Sequence, residues 1–98
     1  MLTAPQFSAE RLELVLARIE AAARRAGRDP ATVTLLAVSK QHPAEAVRAA
    51  AAVGQRHFGE NYLQEALPKI ESLRDLPLAW RFIGLLQANK AGEVAQAF

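Results

Sequence analysis

The 98-residue chain contains no cysteine. That alone removes a disulfide framework, a thiolate nucleophile and a cysteine-ligated metal from consideration. Aromatic residues make up only 6% and the formal net charge is only +2, which argues against a basic, aromatic-interleaved surface for nucleic acid. The densest basic cluster, Arg24, Arg25 and Arg28, falls near the end of an amphipathic segment, where cations suit the negative end of a helix dipole. No apolar run approaches the roughly 18–20 residues of a membrane span, and the N-terminus has no basic segment leading into an unbroken apolar stretch. A cytoplasmic protein without nucleic-acid or membrane partners is therefore expected. His42 and His57 lack a partner at metal-ligand spacing, so no metal site is expected. Also absent are G-x-G-x-x-G, G-x-x-x-x-G-K-[ST] and G-x-S-x-G, the phosphate loops and nucleophile elbow of dinucleotide, triphosphate and serine-hydrolase sites.

What is present is the composition of a globular domain, 51% hydrophobic and 22% charged, in a length that suits one small domain. From Ser8 onward, Leu12, Val15, Leu16, Ile19, Ala22, Ala23 and Ala26 recur at helical spacing, with Ser8 as N-cap and Gly27 as the left-handed stop. Val33 to Val38 is a short apolar run without alternation, as in a parallel strand covered on both faces. Pro43 then opens a second helix that Gly54 ends. The cycle repeats. "RHFGEN" reads as a second strand, and Asn61 with Gln64 resembles a capping box opening a third helix through Ile70 and Leu73. Pro68 predicts a kink or restart in that helix. "LAWRFIGLL" is the third strand, with Trp80 and Phe82 on its core side, and "NKAGEVAQAF" opens a fourth helix.

Strands joined through helices are parallel with right-handed crossovers. All their C-terminal ends then emerge on one rim, of an open doubly wound sheet or of a (β/α)8 barrel. That rim carries Ser39, Lys40, Gln41 and His42 after the first strand. Glu60, Asn61 and Tyr62 follow the second, and Gln87, Asn89 and Lys90 the third. Lys40 is the candidate nucleophile, because a partly desolvated amine can attack an aldehyde; an ordinary surface lysine is the other reading. Asn61 is either a ligand group or a helix cap. Glu60 and Glu65 could pair as acid and base, but nothing in the sequence fixes their separation.

In their order and spacing, "LLAVSK", "FGENYLQEALPKI" and "WRFIGLLQANK" resemble the N-terminal part of the pyridoxal phosphate homeostasis protein family, also called the YggS or PROSC family. The resemblance runs from about Val33 to Phe98. It implies an α/β fold, the N-terminal part of a (β/α)8 TIM barrel of the alanine racemase N-terminal domain type. Residues 1–98 would then be an incomplete portion of a single cofactor-binding domain. The implied cofactor is pyridoxal 5′-phosphate (PLP), held as a Schiff base on Lys40, with Asn61 near it and the polar residues of "LQANK" on the same rim. The implied function is PLP binding in intracellular vitamin B6 homeostasis, without catalytic turnover, with PLP-dependent enzymes as acceptors and a monomeric complete protein. A fold-type-III PLP enzyme such as an amino-acid racemase is the alternative, and a non-catalytic interaction module in which Lys40 is a plain surface residue is a third reading. Two positions depart from the family pattern: Arg81 replaces a usual histidine, and Leu85 a usual proline or histidine. The phosphate-gripping loops of such barrels follow late strands, beyond Phe98, so weak cofactor affinity and self-association are expected of this piece alone.

Overall fold

The computed structural model describes residues 9–85 and 87–98; the Ser8 cap lies outside them. Helix α1 (Ala9–Arg25) ends as its sequence dictates. Gly27 takes φ 74°, and the Arg28 amide donates to the Ala23 carbonyl at 2.8 Å, satisfying an orphan carbonyl of the last turn. Strand β1 (Ala37–Val38), helix α2 (Ala44–Ala52), strand β2 (His57–Glu60), helix α3 (Leu63–Ser72), strand β3 (Ala79–Phe82) and helix α4 (Ala91–Ala97) follow. The sheet order is β1-β2-β3 and both pairings are parallel, with Val38 opposite Gly59 and Gly59 opposite Arg81.

Four local expectations are corrected. β1 is two residues long, although the apolar run is longer. The Leu35 carbonyl is instead taken by the side-chain amide of Gln55 at 2.8 Å, which also donates to the His57 carbonyl. Helix α3 is capped by Tyr62 rather than Asn61, with no side-chain capping bond. It runs through Pro68, which is exposed, as one helix without the restart. Pro43 is the N-cap of α2 rather than its first helical residue.

One face of the sheet is packed under the helices. Ala37, Phe58 and Trp80, in register across the three strands, join Leu12, Val47, Ala50 and Leu73 in the core. Phe58 is fully buried, and its ring centroid lies 5.7 Å from that of Trp80. The opposite face is open among the described residues. Val38 is 43%, Ile83 45% and Leu85 94% exposed, so the expectation of a first strand covered on both faces holds for only one of them. Arg81 stands on this open side, as alternation with the buried Trp80 requires. Val15 and Leu16, expected on the covered stripe of α1, are exposed as well, because α1 reaches the core through Leu12.

Candidate functional site

The strands end together, at Val38, Glu60 and Phe82. Lys40 and Asn61 each lie two residues beyond the register pair Val38 and Gly59, so both follow neighbouring strand ends on the same rim. The ladder geometry persists just past β1 and β2: the Ser39 amide donates to the Gly59 carbonyl at 3.0 Å, and the Ile83 amide to the Glu60 carbonyl at 2.9 Å. Lys40 is exposed. It occupies the second position of a tight turn, closed by the His42 amide donating to the Ser39 carbonyl at 3.0 Å. Gln41, third in that turn, has φ 65°, a left-handed conformation that side-chain-bearing residues adopt at a cost.

Beneath this turn lies a buried charged cluster. Glu60 is fully buried and Lys69, from α3, is 7% exposed. The Lys69 ammonium donates to Glu60 Oε2 at 2.8 Å, to the Ser39 carbonyl at 2.8 Å and to Glu65 Oε2 at 3.2 Å. All three of its protons are thereby engaged. The Ser39 hydroxyl donates to Glu60 Oε2, and the Gln41 backbone amide donates to Glu65 Oε2. Glu60 and Glu65, left unassigned by the sequence, are therefore both partners of Lys69. The cluster sits on the helix-covered side of the sheet.

Beyond the ends of β2 and β3, Asn61 lines a cleft of about 330 Å³ with Tyr62, Leu63, Gln64, Phe82 and Leu85, and with Gln87 and Lys90. Asn61 Oδ1 is buried and has no hydrogen-bond partner among the described residues. A buried amide oxygen without a donor is costly, and this one borders an open cavity. Gly84 presses against it: a Cβ there would fall 2.8 Å from Asn61 Cβ.

The structure thus brings Asn61, Gln87 and Lys90 together in one cleft and sets Lys40 at the adjacent strand end, outside that cleft's lining. Asn89 is exposed and does not line it, and His42 borders a separate groove with Glu65 and Lys69. Lys69 escaped the sequence reading. Its signal, Glu65 and Lys69 four residues apart, is that of any exposed helical ion pair, and its burial depends on β2 ending in a carboxylate directly below it.

No family model matches the chain. A pyridoxal phosphate homeostasis protein of Pseudomonas aeruginosa is 62% identical over 90 residues, which is 92% of this chain and 39% of that protein. The protein of the same name from Escherichia coli is 50% identical over 93 residues, covering 92% of this chain and 40% of that one. Among solved structures, PipY of Synechococcus elongatus with PLP bound matches with a TM-score of 0.68 and 50% identity, over 85% of this chain and 39% of that one. A protein from Bifidobacterium adolescentis matches with a TM-score of 0.78 at 31% identity, over 91% and 41% of the two chains. The chain spans about two fifths of the length of the curated relatives it matches.

Proposed function

The chain belongs to the pyridoxal phosphate homeostasis protein family, corresponding to the N-terminal portion of its members, and from that premise we propose that it supplies the amine-bearing wall of a PLP-holding site. The observation that carries this reading is the placement of Lys40: an exposed primary amine just past the end of β1, on the same rim as Asn61 after neighbouring β2, whose buried amide oxygen has no donor among the described residues. These residues suit PLP. When bound, that cofactor supplies an aldehyde with which a primary amine condenses reversibly. Lys40 offers the amine. Asn61 offers an acceptor and, through its amide nitrogen, a donor for the polar edge of the ring. Tyr62 and Phe82 give the cleft apolar wall, and Gln87 and Lys90 close its outer side with polar groups.

Storage rather than turnover fits the arrangement of charges. Racemisation needs a proton donor and a proton acceptor on opposite faces of the substrate. The two carboxylates bonded to the residues flanking Lys40, Glu60 and Glu65, both pair with Lys69. We therefore read the complete protein as a non-catalytic, monomeric, cytoplasmic carrier that releases PLP to acceptor enzymes. Its single barrel domain would have Val38, Ile83 and Leu85 on an inner wall covered by later strands, and those later strands would carry the phosphate-binding loops.

Adding PLP to the full-length protein that carries this sequence should produce a visible absorbance band distinct from that of free PLP, and Lys40→Ala should abolish it. An undiminished band in the variant defeats the reading. A band accompanied by interconversion of amino-acid enantiomers would favour the racemase alternative.

A further inference from the structure

We propose that Lys69, acting with Glu60 and Glu65, is a positioning residue for Lys40, fixing the turn from which the amine projects; this rests on the reading of Lys40 given above. The cluster grips the residue on each side of Lys40. Before it, the Ser39 carbonyl accepts from Lys69 at 2.8 Å and the Ser39 hydroxyl donates to Glu60. After it, the Gln41 amide donates to Glu65. A tight turn with φ > 0 at its third position has a neighbouring alternative, reached by rotating the peptide between its second and third residues. Here that peptide joins Lys40 to Gln41, and the Gln41 N–H on Glu65 Oε2 holds it in one orientation. Lys69 locks the acceptor, since its ammonium joins Glu65 Oε2 to Glu60 Oε2 at 3.2 and 2.8 Å. Helix α3 and strand β2 thereby fix the backbone on both sides of the amine.

Stability alone does not account for such a cluster. A buried ion pair is often no better than apolar residues of the same volume, which leaves room for a structural task. Lys69 is not itself a second amine for the cofactor, because its three protons are spent on three acceptors. What distinguishes the cluster is its location directly under the turn, with each member bonded to Ser39, to Gln41 or to a group that is.

The test uses the full-length protein and four variants. Lys69→Met combined with Glu60→Gln removes both buried charges together, so the cofactor-free protein should melt close to wild type. Its PLP dissociation constant should rise about tenfold or more, as misplacement of a reacting group does. Borohydride trapping should show the label spreading from Lys40 to other lysines. Glu65 is 29% exposed, so its variants should fold even if the double variant does not. Glu65→Ala should weaken binding, while Glu65→Gln, whose amide oxygen can still accept from Gln41, should recover most of it. Wild-type affinity and labelling in a well-folded double variant, or equal affinity in Glu65→Ala and Glu65→Gln, overturns the positioning role while leaving Lys40 as the attachment point. PLP bound equally well by Lys40→Ala overturns both.

Discussion

Gly84 packs against Asn61 so tightly that a Cβ at position 84 would lie 2.8 Å from the Asn61 Cβ and 2.9 Å from its Cα. No real side chain fits at those distances without moving a neighbour. The neighbour here is the backbone and root of a proposed cofactor ligand. Gly84→Ala should therefore displace Asn61 and weaken PLP binding in the full-length protein, with a stability loss of about 1–3 kcal/mol from overpacking. Gly59→Ala is the control. Its Cβ would meet the flexible tip of Ile83 at 3.1 Å, so binding should suffer less, as fluorescence titration of the two variants will show.

The core prediction concerns Phe58, which is fully buried between the sheet and the helices and stacks near Trp80. Phe58→Ala should cost about 3–5 kcal/mol, a large fraction of the roughly 5–15 kcal/mol that holds a typical domain folded. Denaturant titration followed by Trp80 fluorescence measures this directly.

Gln55 is 5% exposed and spans from the Leu35 carbonyl to the His57 carbonyl. Gln55→Leu keeps the volume and leaves both carbonyls without that donor. We expect a loss of about 1–3 kcal/mol, with hydrogen exchange accelerated first along the segment leading into β1. Uniform exchange across the sheet would contradict the local role given to this amide.

Arg48 of α2 holds Asp75, beyond α3, through bonds of 2.9 and 3.1 Å. Hydrogen bonding to the Arg48 guanidinium keeps the Asp75 carboxyl below its ordinary pKa, against the opposing pull of burial. A carboxylate depressed in the folded state contributes stability above its unfolded pKa and loses it as pH falls through the lower folded value. Arg48→Ala should thus flatten the acid limb of the stability curve and leave wild type and variant equal at the acid extreme. The pair is exposed, so the difference should be small and shrink with added salt.

Much of this architecture was legible in the residues. Gly27 and Gly54 marked helix ends because their positive φ angles are open to glycine at no cost, and the parallel order followed from the alternation of strands with helices. Lys40 could be placed on the rim by counting from Val38. Asn61 was harder, because the residue type that caps helices also binds ligands; the structure gives the cap to Tyr62 and leaves the Asn61 oxygen without a donor among the described residues. The length of β1 was beyond reading, since it depends on Gln55 reaching back twenty residues to Leu35. Lys69 was hidden for a similar reason. A lysine four residues after a glutamate looks solvent-facing until the sheet supplies Glu60 beneath it.

The most direct test of the whole account is to mix the full-length protein with PLP, reduce with borohydride, digest and locate the added mass. The account predicts one dominant modified peptide carrying the label on Lys40, and loss of that label from the protein in Lys40→Ala. A dominant label on Lys69, Lys90 or a lysine outside this chain, with Lys40 unmodified, would contradict it.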